Sequence, residues 1–424
     1  MRVLFTIKKL LHYITAECEI LTNFSTLLRT FSSLLPTFTA SFSSLDTLAS
    51  RSRLSVSPPS RYQGRIKMLW TMDKGTRVAF WGGVSALLAT FLDAFGLASC
   101  RLVFPVAWLL TAAAYLYRAS LTVSPQGKSV VVTGCDSGFG HALALHLHKL
   151  GFRVFAGCLD ANGEGAASLK RHGSNRLVVL QMDVTNQEQL VKAAQEVKKQ
   201  LPGEEGLWGL VNNAGLCTLG PVEWLSLKNF KRDPEVNVFG LISATKAFLP
   251  LIRRGKGRVV SVASVAGRLS TGFMAAYSTS KYAVEGFNDA LRLEMEPFGV
   301  KVCLIEPGNY ANGTSLFAMD DVVDREVVTM WNNLSDELKA DYGEDFCRKV
   351  KGFMKNFRRK GERDINPVIN AFTEALTQQH PQARYCPMTP LTLFVALVST
   401  HLPEWCYDGL LQILAFLLLK KEDL

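Results

Sequence analysis

The sequence lacks the residue spacings that hold metals or build disulfide frameworks. Its nine cysteines are scattered and odd in number, with no CxxC or Cys/His zinc spacing, so neither structural zinc nor any other metal site is expected. Acidic residues are fewer than basic ones, 37 against 47, which gives a formal net charge of +10. Because this excess is diluted along the chain, it disfavours nucleic acid as a partner and fits an anionic membrane surface better.

Acidic residues are scarcest in residues 1–67, where Glu17, Glu19 and Asp46 stand among many Ser, Thr, Leu, Lys and Arg residues. This composition resembles a targeting segment that directs a protein to an organelle. The alternative is a disordered or untranslated extension, since Met68 offers a second start. Both interpretations leave residues 1–67 outside the folded domain.

Residues 68–124 contain two long apolar runs. The first extends from Val78 to Cys100, interrupted only by Asp93, and is long enough to span a bilayer. The second, from Leu102 to Tyr117, has 16 residues and falls at or just below the roughly 17 to 25 that a spanning helix needs. We therefore predict a membrane-anchoring hairpin or re-entrant segment, with a pair of buried core helices as the alternative.

Residues 125–330 alternate short β-branched runs with helix-like stretches, which predicts an α/β fold with a Rossmann-type, doubly wound parallel sheet. The strand candidates are Ser129 to Thr133, Arg153 to Cys158, Leu177 to Gln181, Leu207 to Asn212, Arg258 to Ser264 and Lys301 to Glu306. The alternation lapses in residues 331–424, where two apolar stretches predict a region that caps the substrate and associates with the membrane.

A glycine-rich turn follows the first predicted strand and leads directly into a helix-like segment. The turn offers Gly134, Ser137, Gly138, Phe139 and Gly140 as candidate cofactor-binding residues. Glycine lets the backbone approach a pyrophosphate closely, and the N-terminus of the next helix presents N–H groups to that anion. The spacing is GxxxGxG rather than the general GxGxxG, which indicates a narrower family.

A second candidate cofactor segment, Asn213-Ala214-Gly215, ends the fourth predicted strand. It would lie at the carboxyl edge of the sheet, where open α/β sheets bind ligands. A simple turn is the alternative. Its position relative to the glycine turn favours the cofactor interpretation.

The candidate catalytic residues are Ser264, Tyr277 and Lys281. Tyr277 and Lys281 are four residues apart in a helix-compatible segment, so both side chains share one helical face. An ammonium beside a phenol favours the phenolate and is expected to lower the pKa of the tyrosine from about 10, as acid–base catalysis requires. Ser264 would hold the substrate oxygen by a hydrogen bond.

The ordered set of TGxxxGxG, NNAG, a Ser thirteen residues before a Tyr, and YxxxK resembles the short-chain dehydrogenase/reductase family over residues 125–310. The resemblance implies a fourth catalytic residue, Asn237, in a proton relay with Tyr277, Lys281 and a water. It also implies that Pro307-Gly308 lies beside the nicotinamide. Pro234 departs from the pattern, because proline interrupts the helix expected to carry Asn237.

The resemblance further implies a nicotinamide cofactor, for which Asp183 is an additional candidate contact. The second predicted strand ends at Cys158, with Asp160 two residues later and no arginine for a 2′-phosphate. An acidic residue at this position pairs with the ribose hydroxyl of NAD. We therefore predict NAD rather than NADP.

Within the family, the sequence looks most like the hydroxybutyrate dehydrogenases, so (R)-3-hydroxybutyrate is the expected substrate, with Arg268 as the cation for its carboxylate. The apolar residues 272–276 suit a steroid or retinoid alcohol as an alternative. A non-catalytic, cofactor-binding scaffold is the alternative from another class, supported by Pro234. The resemblance points to a homo-oligomer at the mitochondrial inner membrane, and the paired apolar segments leave the endoplasmic reticulum membrane open.

A basic stretch, Arg348 to Arg363, places Val350, Phe353, Met354 and Phe357 on one helical stripe. The pattern is that of an amphipathic helix. It predicts either docking on anionic lipid or a lid over the substrate with a solvated outer face.

Overall fold

A computed structural model describes residues 72–201, 205–314 and 320–422, and the side chains of residues 74–201, 205–314 and 322–413. The prediction for residues 1–67 lies outside the described residues. The remaining chain forms one compact unit.

Seven parallel strands form one sheet in the order β3-β2-β1-β4-β5-β6-β7. The strands are β1 Ser129–Val132, β2 Arg153–Cys158, β3 Leu177–Gln181, β4 Gly209–Asn212, β5 Arg258–Val262, β6 Lys301–Ile305 and β7 Arg384–Tyr385. The predicted Rossmann-type α/β class is confirmed. Strand order reverses between β1 and β4, and such a reversal opens a ligand crevice at the carboxyl edge.

Helices cover both faces of the sheet. They are α3 Gly138–Leu150, α4 Glu164–His172, α5 Gln187–Gln200, α6 Leu227–Pro234, α7 Leu241–Arg254, α8 Ala275–Met295 and α11 Asn366–Thr377, numbered after two N-terminal helices. In β1, Val130 packs with the cluster that contains Phe372 of α11, whereas the next residue, Val131, packs with Phe248 of α7. This alternation buries both faces of the strand, and full burial of such a side chain contributes about 1.5–3 kcal/mol.

Two antiparallel helices precede the sheet, α1 Met72–Ala94 and α2 Cys100–Ser120. The second predicted run is longer than expected, because the helix extends past both ends of the apolar segment to 21 residues. Both helices have the length and composition of membrane spans. No described residue of α2 is buried, which argues against a buried core pair.

The two helices of the hairpin are bonded to each other and to the rest of the fold. The Trp108 indole on α2 donates to the Val78 carbonyl on α1 at 2.9 Å. Near the start of α1, the buried Lys74 ammonium donates to the Glu374 carboxylate of α11 at 2.6 Å. A buried ammonium requires such a partner, so the hairpin has a defined attachment to the α/β domain.

Two further helices, α9 Asp320–Asn332 and α10 Asp336–Arg359, lie over the carboxyl edge. We define the cap cluster as the apolar side chains that these helices pack around Tyr277: Leu219, Trp224, Phe273, Met274, Val323, Val327, Met330, Trp331, Tyr342, Phe346, Val350, Phe353, Met354 and Phe357. The apolar stripe of the basic segment therefore packs inward, as a lid would. The two helices of the cap lie on both sides of residue 330, because α9 begins at Asp320.

The chain ends in α12 Pro390–His401 and α13 Glu404–Glu422. Leu393, Val395 and Ala396 of α12 are buried, and the latter two pack on Leu269 beyond β5. Leu391 and Phe394 of the same helix are exposed. This region therefore combines contact with the rest of the fold and exposed apolar side chains.

Candidate active site

The glycine turn has the geometry of an anion cradle. Gly134 and Gly138 have φ values of +68° and +59°, in the left-handed region that favours glycine. A Cβ at Gly140 would lie 2.2 Å from the Gly134 carbonyl oxygen. Helix α3 begins at Gly138, directly after the turn that leaves the carboxyl end of β1, so its N-terminus lies at the crevice. These residues fit the pyrophosphate of a dinucleotide.

The Asn213-Ala214-Gly215 segment braces this turn. The Thr133 hydroxyl accepts hydrogen bonds from the backbone N–H groups of Asn213 and Ala214, both at 3.0 Å. The Asn213 amide in turn donates to the carbonyls of Thr133 and Gly134, at 2.9 and 3.0 Å. The two segments predicted to bind cofactor therefore form one hydrogen-bonded unit.

Asp136, inside the glycine turn, reaches across to the end of β2. Its carboxylate accepts hydrogen bonds from the backbone N–H of Leu159 at 2.9 Å and of Asp160 at 3.1 Å. A cleft of about 350 Å³ beside it is lined in part by Glu164. Sequence reasoning missed Asp136, and the available signal was an acidic residue within a glycine turn.

The other predicted cofactor residues lie around the same edge. The Asp183 carboxylate follows β3 and accepts from the Thr185 backbone at 2.9 Å. The Phe139 ring meets the Tyr310 ring edge-on, with centroids 5.7 Å apart. The Pro307 carbonyl accepts from Val265 N at 2.9 Å, which ties the segment after β6 to the segment after Ser264. Gly308 continues that segment and donates to the Pro387 carbonyl at 3.2 Å.

Pro234 does not displace Asn237. The helix changes at this proline into a π-helical turn, Glu235–Gly240, which absorbs the interruption. The Asn237 side chain accepts from Leu216 N at 2.7 Å and donates to Leu216 O and Ser280 Oγ, both at 2.9 Å. Ser280 Oγ donates to the Tyr277 carbonyl at 2.7 Å. Asn237 is therefore linked to the helix that carries Tyr277.

Ser264, Tyr277 and Lys281 meet in a nearly closed space, with exposed fractions of 7%, 8% and 5%. Ser264 follows β5, and its hydroxyl is close enough to the Tyr277 side chain to lower the pKa of the phenol. The Lys281 ammonium lies 5.6 Å from the centroid of the Tyr277 ring and donates to the Val262 carbonyl at 2.9 Å. The three predicted residues are thus brought together by β5 and α8.

Burial raises the pKa of Tyr277 well above its usual value, with Cys217 adding to the rise and the hydrogen bond from Ser264 opposing it. Burial also lowers the pKa of Lys281 to about 8. The prediction that Lys281 lowers the pKa of Tyr277 is therefore wrong for the folded chain by itself. The apolar cap cluster removes water from the phenol, and this desolvation outweighs the attraction of the ammonium.

Arg268, in the loop that follows Ser264, forms an ion pair within the protein. Its guanidinium pairs with the buried Glu306 carboxylate at 3.8 Å. Glu306 also pairs with Arg384 at 3.0 Å, and Arg384 bonds Glu285 of α8 at 3.1 Å. The predicted role of Arg268 in binding a substrate carboxylate stays a prediction, and it would require the guanidinium to leave this network.

These features define the class of the protein. A dinucleotide-dependent oxidoreductase has its site at the carboxyl edge of an α/β sheet, and this site combines a glycine turn at a helix N-terminus, the NNAG segment bonded to it and a buried Ser-Tyr-Lys set.

Comparison with known proteins places the chain within that class. The family model for short chain dehydrogenase matches residues 128–319. Mitochondrial D-beta-hydroxybutyrate dehydrogenase from Bos taurus is 44% identical over 291 residues, covering 68% of this chain and 84% of that protein. Retinol dehydrogenase 16 from Mus musculus is 41% identical over 287 residues, covering 68% and 88%. The structure of a short-chain dehydrogenase from Streptomyces avermitilis has a TM-score of 0.52 at 25% identity, covering 70% and 96%.

The chain belongs to the short-chain dehydrogenase family. It is an oxidoreductase that acts on CH–OH groups, and the family uses NAD or NADP.

Proposed function

We propose that the protein oxidises a secondary alcohol to a ketone, reversibly, with NAD as the cofactor. The observation that carries this proposal is the buried contact of Ser264 with Tyr277 above Lys281. A nicotinamide bound in the crevice would accept the hydride of the carbinol carbon during oxidation and return it during reduction. Ser264 holds the substrate oxygen, and Tyr277 exchanges the proton with that same oxygen.

The raised pKa of Tyr277 suits proton donation, because the phenol keeps its proton at neutral pH until a ketone oxygen needs it. Alcohol oxidation requires the reverse, a phenolate that accepts the proton. The Lys281 ammonium is placed to stabilise that phenolate. Asn237 holds Leu216 and Ser280 in place around the pair and so fixes the helix on which both side chains lie.

The preference for NAD rests on the acidic surroundings of the end of β2. The Asp136 carboxylate occupies the backbone N–H groups of Leu159 and Asp160, and Glu164 lies beside it on the cleft. A 2′-phosphate at this edge would meet like charge. Lys170, a nearby cation, donates instead to the Ala161 carbonyl at 2.8 Å.

For the substrate, the cap cluster favours a lipophilic alcohol of the steroid or retinoid class. The side chains that pack with Tyr277 in this cluster are apolar or aromatic, and Arg268 is paired with Glu306. The second candidate is (R)-3-hydroxybutyrate, which the similarity to D-beta-hydroxybutyrate dehydrogenase favours.

A turnover screen tests these proposals. Full-length protein in phospholipid is assayed with NAD and NADP against D-3-hydroxybutyrate, estradiol, a corticosteroid and retinol. Oxidation of lipophilic alcohols alone would remove the hydroxybutyrate assignment, and oxidation of hydroxybutyrate alone would remove the lipophilic one. Failure to bind either cofactor would reject the enzymatic proposal in favour of a scaffold.

We further propose that α1 and α2 anchor a homo-oligomer in a membrane. The apolar outer faces of both helices and the basic residues nearby support this placement. Similarity to a mitochondrial relative favours the mitochondrial inner membrane, with the endoplasmic reticulum as the alternative. Retention in the pellet after carbonate extraction, lost when residues 72–120 are removed, is the expected result.

A further inference from the structure

Trp224 carries a buried donor that the fold does not use. Its side chain is 5% exposed, and its indole Nε1 has no hydrogen-bond partner within the described part of the chain. Buried tryptophan N–H groups usually have a partner. An unused donor in such a position therefore points to a partner that arrives with a ligand.

Among the described residues, the surroundings of the indole are aromatic rings rather than hydrogen-bond acceptors. The rings of Trp331, Tyr342 and Phe346, all from α9 and α10, lie 5.3, 5.7 and 5.8 Å from the Trp224 ring. The Tyr342 hydroxyl bonds the Glu223 carboxylate. Carbon surfaces thus surround the indole, in the same cap cluster that contains Tyr277.

A continuous set of contacts joins Trp224 to the reacting group. Gly220, in the segment before Trp224, donates to the Phe273 carbonyl at 2.9 Å. The Phe273 ring packs on Phe346, with centroids 6.0 Å apart, and Phe273 lies just before the helix of Tyr277. Trp224 and Tyr277 therefore belong to one apolar enclosure.

We propose that the Trp224 indole N–H donates to a neutral oxygen of the substrate, a carbonyl or hydroxyl remote from the carbinol that reacts. This inference rests on the proposed oxidation of lipophilic alcohols. The acceptor is neutral because the charge beside the indole is negative: the Glu223 carboxylate, on the residue before Trp224, bonds the hydroxyl of Tyr342, whose ring packs on the indole. A second anion there would be repelled.

A matched pair of alcohols tests the proposal. 17β-Hydroxy-5α-androstan-3-one and 5α-androstan-17β-ol share one skeleton and differ only in the remote carbonyl. The full-length enzyme in detergent, with NAD, is expected to oxidise the first with a kcat/KM about tenfold higher, as one net hydrogen bond provides. The difference should lie in KM, because the contact is the same before and during the reaction.

Trp224→Phe, which removes the donor and keeps a ring, should bring the ratio of the kcat/KM values for the two alcohols to about one. Trp331→Phe removes a neighbouring indole from the same cluster and should keep the ratio. Both alcohols enter the same micelles, so a change of ratio between variants reports on the protein alone. Trp224→Met provides a second variant without the donor, and thermal unfolding with bound NAD verifies that each variant folds.

A wild-type ratio near one overturns the proposal whatever the variants do. A ratio that survives Trp224→Phe or Trp224→Met in a folded enzyme also overturns it. If neither androstane is oxidised while hydroxybutyrate is, the lipophilic assignment fails and this proposal fails with it. If both are oxidised equally, the proposed function stands and only the role of Trp224 fails.

Discussion

The two sides of Tyr277 are built in opposite ways. Towards the glycine turn, the site consists of short-range polar contacts among Thr133, Asn213 and Gly134, all at the ends of neighbouring strands. Towards the cap, it consists of aromatic and aliphatic side chains, most of them from α9 and α10, far away in the sequence. One face is specified by hydrogen bonds and the other by packing.

This difference separates chemistry from selectivity. The polar side matches an invariant ligand, a dinucleotide whose phosphates and riboses need fixed donors and acceptors. The apolar side can change its shape by exchanging side chains without disturbing those donors. It also controls the reaction, because excluding water from Tyr277 raises the pKa of the phenol.

Removing the Tyr277 hydroxyl, which lies between the polar and the apolar side, should have the largest effect on activity. Tyr277→Phe is expected to lower kcat/KM by about 10³-fold, within the range for loss of a general acid–base, while NAD affinity changes little. Tyr282→Phe, an exposed tyrosine of the same helix, is the control and should retain activity. Full activity of Tyr277→Phe on any identified substrate would contradict the assignment.

Lys281→Met should show how much the burial of the Lys281 ammonium lowers the free energy of unfolding. Burial lowers the pKa of Lys281 to about 8 from 10.5, so the unfolded state binds its proton more tightly, and the penalty is fully present below pH 8 and fades towards pH 10.5. The variant should therefore be more stable than wild type by about 3 kcal/mol at pH 7.

Thermal unfolding of both proteins across pH 7 to 10 measures this difference. The stability gain of Lys281→Met should shrink as the pH rises. A gain that grows with pH, or a variant less stable than wild type at pH 7, would show that the ammonium is not desolvated as the structure indicates.

A change confined to the polar side should alter cofactor choice alone. Asp136→Asn removes the charge and keeps the shape, and should raise the kcat/KM with NADP relative to NAD by about tenfold, through loss of like-charge repulsion. Asp289→Asn, on α8 and engaged with Arg384, should leave the cofactor ratio unchanged. An unaltered ratio in Asp136→Asn would remove this carboxylate from cofactor selection.

The smallest effect is expected from Arg268. Arg268→Gln should change the kcat/KM of lipophilic alcohols by less than about threefold, because its guanidinium faces Glu306 rather than the cap. If Arg268 instead binds the carboxylate of hydroxybutyrate, turnover of that substrate should fall by about 100-fold, as for loss of a buried charge pair. Kinetics on both substrate classes separate these outcomes.

Much of this arrangement could be predicted from the sequence. Ser264, Tyr277 and Lys281, the glycine turn and NNAG were recognisable because their order and spacing follow from strand ends and helical periodicity. The strand β7 was not predicted, since its two residues pair only because β6 offers an edge, with Glu306 N bonding Tyr385 O at 2.8 Å.

The sequence by itself determined the family, the fold class and the candidate catalytic set, because these depend on local patterns that any chain with this spacing would repeat. Only the tertiary structure decided what surrounds them. Asp136 bonds the end of β2, and Arg268 pairs with Glu306. The cap closes over Tyr277, so that the pKa of the phenol is raised where the sequence predicted that it would be lowered. Such properties arise from contacts between distant segments, and the electrostatic balance of a buried group is set by all of its neighbours together.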